Sequence, residues 1–340
     1  MKKIDVEAHF YTQEFQKYLR ARKEIPREES YKGYIRLWYA PNIWEPHGLD
    51  IEEHLLDLAE GRIKAMDEAG IDMQVLSLAT PGCEQFSPAD GTALSKKVND
   101  ELSKVIKKYP DRFIGLATLA PQSPSEAADE LERAVLKLGL KGAKVNSHIG
   151  DTYLDDRKYW VIFEKSEKLG VPIYLHPMTP SPSMVTPYAS YGFALAGPTL
   201  GFGAETALQA MRLIYSGVFD QYPGLKIILG HLGEGLIFGL WRIDFAYKKQ
   251  WMDNEVRPKI SMPPSEYIRN NFMISTSGMF TLPAFICAFL EVGAERILLS
   301  VDYPFEKCEE AIRFIENAPI SEIDKEKICH LNAEKLFKLS

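Results

Sequence analysis

Short apolar runs recur along the chain, and most of them are followed by a segment with the hydrophobic periodicity of a helix. Eight of these runs are almost continuously apolar, which is typical of strands that are covered on both faces. They are residues 4–9, 71–78, 113–119, 142–146, 172–176, 226–231, 272–276 and 297–302. The main amphipathic segments between them are residues 51–69, 90–108, 124–138, 157–169, 205–220 and 282–292. The pattern predicts alternating strands and helices.

Alternation of buried strands with helices indicates right-handed βαβ units, and eight such units favour a closed barrel. An open, doubly wound sheet is the alternative, and a glycine-rich turn after the first strand would favour it. The first strand here ends in Glu7-Ala8-His9-Phe10 without a G-x-G-x-x-G motif, and the chain has no Walker A sequence. We therefore predict an α/β fold, a distorted (β/α)8 barrel of the TIM type with long insertions in its βα loops.

Three segments are longer than a minimal barrel requires, and they are residues 10–50, 177–204 and 248–264. A barrel of about 250 residues leaves about 90 of the 340 residues unassigned, and these insertions account for them. We therefore predict one domain over residues 1–340 rather than two. The first insertion is rich in aromatic residues and the second in prolines. Both follow strands, at the end of the barrel where such enzymes place their active sites.

Polar side chains interrupt the carboxyl ends of four apolar strands. Glu7 and His9 have the i, i+2 spacing that puts both on one face of the first strand. The other three strands end in His176, in His231 with Glu234, and in Asp302. Taken singly, each residue has an ordinary structural explanation, such as a hydrogen-bonded histidine or an aspartate in a turn. Together they predict a divalent metal site at the mouth of the barrel, because imidazole and carboxylate groups are ligands of such ions.

The remaining polar candidates are weaker. Asn146 and His148 end the fourth strand at the same face, where either substrate contact or hydrogen bonding within the loop would explain them. His47, His54 and His330 fall in a loop or on helices, and we expect them to be surface residues.

The overall charge narrows the range of partners. The chain has 40 basic and 47 acidic residues, a net charge of −7, which argues against binding to nucleic acid or to anionic membranes. The four cysteines are far apart and form no C-x-x-C motif, which fits a reducing compartment. The N-terminus lacks the apolar segment of a signal peptide, and the two long uncharged stretches are broken by proline and glycine. We therefore expect a cytoplasmic location and no membrane segment.

Several of these motifs resemble those of a known family. Glu7-Ala8-His9 and His176-Pro177 are similar to the strand-end motifs of the amidohydrolase superfamily. Residues 230–234 (GHLGE) and 302–305 (DYPF) resemble the branch that contains aminocarboxymuconate semialdehyde decarboxylase. Residues 201–206 (GFGAET) are similar to the hydroxybenzoate decarboxylases, notably those of γ-resorcylate and 5-carboxyvanillate. The resemblance extends over almost the whole chain.

This resemblance implies roles for the residues at the strand ends. It implies that Mn²⁺ or Zn²⁺ is held by Glu7, His9, His176 and Asp302. His231 corresponds to the catalytic histidine of the family, and Glu234 to the acid that orients it. Phe305 resembles the γ-resorcylate type, whereas the 5-carboxyvanillate type has a tyrosine there. The dimers and tetramers of the family imply a homodimer or homotetramer.

The resemblance implies non-oxidative decarboxylation of a small aromatic carboxylate with an ortho hydroxyl group. Asp302 would protonate the ring carbon while the metal chelates the substrate. The first alternative is a hydrolase that uses metal-activated water to cleave an ester, a lactone or an amide. The second is a metal-stabilised binding or scaffolding protein without turnover, which tight metal retention without activity would indicate.

Overall fold

Twelve strands lie in the part of the chain that the computed structural model describes, residues 1–249 and 255–339. They are β1 (Ile4–Phe10), β2 (Arg27–Tyr31), β3 (Tyr34–Ala40), β4 (Ile43–His47), β5 (Met73–Leu78), β6 (Phe113–Gly115), β7 (Ala117–Thr118), β8 (Ala143–Asn146), β9 (Ile173–His176), β10 (Ile227–Leu229), β11 (Phe272–Ser275) and β12 (Ile297–Leu298). Nine of these strands, β1 and β5 to β12, are parallel and form the wall of a barrel.

The barrel wall is continuous except at Leu116, where the chain stops pairing with the strand on one side and starts pairing with the strand on the other. The amide of Leu116 donates to the Leu76 carbonyl, and the next amide, of Ala117, donates to the Gly142 carbonyl. β6 and β7 are therefore two halves of one strand, so that the wall has eight strands. This break is the distortion of an otherwise regular (β/α)8 barrel, and the predicted fold class is confirmed.

The barrel closes between β1 and the segment that follows β12. The Val6 amide donates to the Leu299 carbonyl at 3.1 Å, and the Asp302 amide donates to the Glu7 carbonyl at 3.1 Å. Closure buries β1 completely, and all seven of its residues have lost contact with solvent. All eight predicted strands are present, but most are shorter than predicted. β12, for example, ends at Leu298, so Asp302 lies beyond the ladder.

Helices follow the barrel strands, as predicted. In the described residues they are Gln13–Ala21, Leu49–Leu56, Glu60–Ala69, Pro88–Lys108, Pro124–Leu136, Trp160–Leu169, Phe193–Ala196, Gly201–Ser216, Val218–Gln221, Leu240–Tyr247, Pro264–Asn271, Leu282–Val292, Cys308–Glu316, Glu322–Glu326 and Asn332–Phe337. The predicted segment 51–69 is two helices, because the Asp57 carboxylate accepts from the amides of Ala59 and Arg62 and so begins a new helix. Gly70 ends that helix at a φ of +74°, which a side chain would strain.

The core has two parts, one on each side of the barrel wall. The larger part lies between the strands and the surrounding helices. The smaller part fills the barrel interior with the side chains of Val6, Val75 and Leu298. Ala333 and Phe337, from the last helix, close the amino-terminal end of this interior. The opposite end, where the strands finish, stays free for a site.

The first predicted insertion is more ordered than a loop. Residues 10–50 contain the helix Gln13–Ala21 and the antiparallel sheet β2-β3-β4, a small unit that we name the inserted sheet. Its side chains Leu37 and Ile43 are fully buried within the larger core. The organisation as one domain over residues 1–340 stays a prediction, and this shared core supports it.

The other two insertions differ in how much of them is described. The second, residues 177–204, carries a short helical turn at Thr186–Tyr188 and the helix Phe193–Ala196. Of the third, residues 248–264, positions 250–254 lie outside the described residues. No helix in the described part of the chain combines the length and the apolar character needed to cross a lipid bilayer.

The inserted sheet contains a buried acid whose ionisation we expect to affect stability. Burial raises the pKa of Glu28 from 4.5 to about 7, although His47 and Arg20 oppose this. The folded protein therefore keeps the Glu28 carboxyl protonated to a higher pH than the unfolded chain does. The protonated carboxyl contributes its full stabilisation of the fold below about pH 4.5, and this contribution is lost as pH rises towards 7. We predict that Glu28→Gln raises the free energy of unfolding, relative to wild type, by about 3 kcal/mol more at pH 8 than at pH 4.

Denaturation by urea across this pH range measures the difference. Glu29→Gln, on the same strand with a side chain that is 40% exposed, removes the same charge from an exposed position and is the matched control. Parallel stability curves for Glu28→Gln and wild type would contradict the prediction.

Candidate active site

Four side chains with metal-binding groups meet at the carboxyl end of the barrel. Glu7 and His9 come from β1, His176 ends β9, and Asp302 follows β12. One ligand atom from each lies within 4.8 Å of all the others. His9 Nε2 is 3.0 Å from Asp302 Oδ1, and His176 Nε2 is 3.4 Å from Glu7 Oε1. The structure thus brings together the four residues that the family resemblance implies as ligands.

The chemistry of this cluster fits a divalent cation. Glu7 Oε1 is buried and has no hydrogen-bond partner within residues 1–249 and 255–339, which is costly for a carboxylate unless a cation balances it. The Nε2 atoms of His9 and His176 face each other at 3.3 Å. Ligands about 2.1 Å from a common ion lie about 3.0–3.4 Å apart when they are adjacent. The observed spacing therefore matches the edges of a coordination shell.

Neighbouring groups fix the orientation of these ligands. The Tyr174 hydroxyl donates to Glu7 Oε2, and Nδ1 of His176 lies 2.7 Å from the Pro177 carbonyl and 3.2 Å from Asn146 Oδ1. These two acceptors hold the proton on Nδ1 and leave the Nε2 lone pair free to bind a metal. Burial, with Lys144 nearby, holds the pKa of His176 well below its ordinary value, so the ring is neutral.

His231 and Glu234 form a pair beside the cluster. The backbone from His231 to Glu234 has φ values between 51° and 87°, a strained left-handed turn. This turn brings His231 Nδ1 to 2.7 Å from Glu234 Oε1, while Nε2 lies 3.7 Å from Asp302 Oδ2. Burial alone would lower the pKa of His231, but the Glu234 and Asp302 carboxylates raise it well above its ordinary value. The pair can therefore hold a proton next to Asp302.

The cluster opens into a cavity of about 410 Å³, which is large enough for one substituted aromatic ring. One wall comes from the second insertion and the start of the following helix, with Pro177, Pro198, Leu200 and Phe202. Phe305 also lines the cavity, and its ring centroid is 5.8 Å from that of His9. The second insertion, which the sequence predicted to lie at the active-site end of the barrel, is therefore mainly apolar where it faces the cavity.

Two predicted substrate residues lie elsewhere. Asn146 is fully buried and bonds to the Pro81 carbonyl and to Glu84, besides its contact with His176. His148 is also buried, with its ring nitrogens 2.9 and 2.8 Å from the carbonyls of Gly150 and Thr179. Neither side chain lines the cavity, so the geometry favours the structural explanation for both. Their contact with substrate stays a prediction that the structure does not support.

The expectation that His47 is a surface residue is wrong. Its exposed fraction is 2%, because it lies on β4 of the inserted sheet between Glu45 and the Phe305 ring. Glu45 lines the cavity and was also missed. The only sequence signal was the i, i+2 spacing of Glu45 and His47, which has meaning once β4 is known to be a strand.

Lys144 was missed as well. It lies on β8, whose other side chains are uncharged. Its ammonium group donates to the Leu78 carbonyl. Burial lowers its pKa to about 8, although the Glu84 and Glu7 carboxylates oppose this shift. A lysine inside a buried strand was the available signal, since charged groups are rarely buried without a partner.

Comparison with known proteins agrees with this geometry. The family model described as Amidohydrolase matches residues 4–339, and the chain therefore belongs to the amidohydrolase family. Among curated relatives, the γ-resorcylate decarboxylase of Polaromonas sp. JS666 is 43% identical over 300 residues, which cover 86% of this chain and 90% of that protein.

Two solved structures are similar over almost their full length. A dihydroxybenzoic acid decarboxylase from Polaromonas sp. JS666, with manganese and the inhibitor 2-nitroresorcinol, has a TM-score of 0.85 and 38% identity, and the match covers 99% of this chain and 97% of that one. A 5-carboxyvanillate decarboxylase from Novosphingobium aromaticivorans, with manganese and 4-hydroxy-3-methoxy-5-nitrobenzoic acid, has a TM-score of 0.90 and 32% identity, with 99% and 96% covered.

Removal of one ligand should weaken metal binding more than removal of its supporting group. We predict that His176→Ala lowers the affinity for Mn²⁺ by more than about 100-fold, and that Asn146→Ala lowers it about 10-fold. Titration of the metal-free protein with Mn²⁺, followed by electron paramagnetic resonance, measures both constants. His54→Ala, at an exposed histidine, should bind as wild type does. Equal affinities for His176→Ala and His54→Ala would show that His176 is not a ligand.

Proposed function

We propose that this chain is a metal-dependent decarboxylase of hydroxylated aromatic acids, of the ortho-hydroxybenzoate type. The observation that carries the proposal is the cluster of Glu7, His9, His176 and Asp302 at the floor of a ring-sized cavity, with His231 beside it. Two relatives from Polaromonas sp. JS666 that match over most of both chains are named as decarboxylases of γ-resorcylate and of dihydroxybenzoic acid, which supports the same substrate class.

The cluster residues would hold a divalent metal, either Mn²⁺ or Zn²⁺. When bound, the metal supplies a Lewis acid that offsets the negative charge of the substrate. Glu7 and His9 are fixed on a buried strand, so their positions cost little reorganisation when substrate binds. The apolar wall at Leu200 and Phe202 contacts the ring and excludes water, which favours loss of neutral CO₂ from a charged carboxylate.

Asp302 is the group that delivers a proton to the ring. The carbon that bears the carboxylate must be protonated before the C–C bond breaks, because a free aryl carbanion is too unstable. His231, held by Glu234, lies 3.7 Å from Asp302 Oδ2 and first transfers its proton to that oxygen. Asp302 then gives this proton to the carbon, the electron pair of the C–C bond returns to the ring, and CO₂ leaves. His231 regains a proton from solvent.

The test is CO₂ release from 2,6-dihydroxybenzoate by the manganese-loaded protein. We predict that Asp302→Asn lowers kcat by at least about 100-fold, the size of a general-acid contribution. His231→Gln, which leaves the four ligands in place, should lower kcat by about 10- to 100-fold while manganese content stays unchanged. Unchanged activity in Asp302→Asn would disprove the assigned role.

The same assay separates the alternatives. A hydrolase would incorporate ¹⁸O from labelled water into its product, whereas the decarboxylase releases CO₂ and incorporates a solvent proton on the ring. Tight manganese retention with no turnover of any aromatic acid would indicate a binding protein. Either result would overturn the proposed function.

We also propose that the protein is cytoplasmic and forms a homodimer or homotetramer, with no nucleic-acid or membrane partner. Four free cysteines support a reducing compartment. An exposed apolar surface near the helix Leu240–Tyr247 supports self-association, because Phe238 is 89% exposed and Trp241 is 71% exposed.

Substitution at this surface tests the oligomer. The double variant Phe238→Ser, Trp241→Ser should shift the assembly towards monomer, because it removes apolar area that association would bury. Light scattering after gel filtration measures the mass. Leu136→Ser, at a leucine that is 67% exposed on another helix, is the control and should keep the wild-type mass. A monomeric wild type would contradict the prediction.

A further inference from the structure

The cavity has acids and no strong bases on its walls. Glu45 and Glu306 line it in addition to Glu234 and to three residues of the metal cluster, His9, His176 and Asp302. Within residues 1–249 and 255–339, neither a lysine nor an arginine lines it. An aromatic acid with one carboxylate needs one positive partner, which the metal cluster supplies. Apart from the histidines His9, His176 and His231, the described walls offer no cationic side chain, so a second carboxylate that contacted Glu45 would have no lysine or arginine beside it to offset the repulsion.

Glu45 is held in a fixed position by the inserted sheet. It lies on β4 opposite Leu37 of β3, and its side chain is 12% exposed. The Tyr39 hydroxyl donates to Glu45 Oε2 at 2.7 Å, and His47 Nε2 lies 3.4 Å from Glu45 Oε1. His47 does not itself line the cavity, so Glu45 is the member of this pair that can contact a bound molecule.

An ionised carboxylate only accepts hydrogen bonds, and each of its oxygens has room for two. One contact to each Glu45 oxygen therefore leaves this carboxylate, which lines the cavity, able to accept further hydrogen bonds. A hydroxyl group on the substrate ring satisfies such an acceptor. A second carboxylate there would place two like charges in a site of low dielectric, which is strongly unfavourable.

We propose that Glu45 determines substrate specificity, by accepting a hydrogen bond from a ring hydroxyl and by excluding acids that carry a second carboxylate. The substrate class is then a polyhydroxylated benzoate with one carboxylate, as in 2,6-dihydroxybenzoate, and not a dicarboxylate such as 5-carboxyvanillate. This inference rests on the proposed function, because it concerns the substrate of the same cavity.

The first experiment compares three acids with the manganese-loaded protein. Wild type should give a kcat/KM for 2,6-dihydroxybenzoate at least about 10-fold above that for 2-hydroxybenzoate, which lacks one hydroxyl, and well above that for 5-carboxyvanillate. Glu45→Gln should lower the value for 2,6-dihydroxybenzoate about 10-fold and reduce its advantage over 2-hydroxybenzoate. The same variant should raise kcat/KM for 5-carboxyvanillate, because the repelling charge is gone.

The second experiment measures binding without turnover. 2-Nitroresorcinol has two hydroxyls and no carboxylate, whereas 4-hydroxy-3-methoxy-5-nitrobenzoate carries a carboxylate. Calorimetric titration of the manganese-loaded wild type should show that 2-nitroresorcinol binds at least about 10-fold more tightly than 4-hydroxy-3-methoxy-5-nitrobenzoate. Glu45→Gln should reduce this ratio of the two affinities. Glu24→Gln, which removes the same charge from a residue that is 91% exposed and outside the cavity, should leave the ratio unchanged.

The outcomes separate the two proposals. If wild type decarboxylates 2,6-dihydroxybenzoate and 5-carboxyvanillate equally well, or if Glu45→Gln changes neither preference, the role of Glu45 is overturned while the proposed function stands. If wild type releases CO₂ from none of the acids, both fail. Glu45→Asp keeps the charge and should still exclude 5-carboxyvanillate. Equal melting temperatures and manganese contents show that the Glu45 variants remain folded.

Discussion

The hydrogen bonds between β1 and the segment after β12 close the barrel and also assemble the site. The Asp302 amide donates to the Glu7 carbonyl, and the His9 amide donates to the Tyr303 carbonyl. Residues from the two ends of the chain therefore share one short ladder. Because that ladder sets the register of Glu7 and His9 against Asp302, the fold cannot close correctly without bringing these ligands together.

Closure of the barrel also buries the negative charge of Glu7, which a divalent metal ion balances. Glu7 is 1% exposed, and one of its carboxylate oxygens has no hydrogen-bond partner in the described part of the chain. An isolated carboxylate in such a place would lose more hydration energy than one hydrogen bond from Tyr174 returns. The interior below is apolar and is closed by Phe337, and the buried Lys144 ammonium is shared with Glu84, so a cation at the open end adds the balancing charge. A divalent cation among the ligands provides that charge.

The barrel and the insertions contribute different parts of the site. The strands β1 and β9 hold Glu7, His9 and His176, and the segments that follow β10 and β12 hold His231 and Asp302 close to them. The insertions supply the walls, where apolar side chains such as Leu200 meet the ring and Glu45 meets its substituents. Specificity can therefore change through the inserted sheet without disturbing the ligands, because the inserted sheet does not contribute to the barrel ladder.

The sequence pattern by itself determined the eight strands, their alternation with helices, and the polar groups at the strand ends that suit a metal ion. The choice of Glu7, His9, His176 and Asp302 as its ligands is what the family resemblance implies, and it stays a proposal. The strands and the polar groups at their ends could be predicted because burial on both faces leaves a continuous apolar run, and a polar residue at its end stands out. Only the tertiary structure decided that Asn146 supports a ligand and that Glu45 and His47 face inward. Their placement depends on contacts between segments distant in the chain, and an antiparallel sheet with mixed polar positions leaves no periodic signal strong enough to show it.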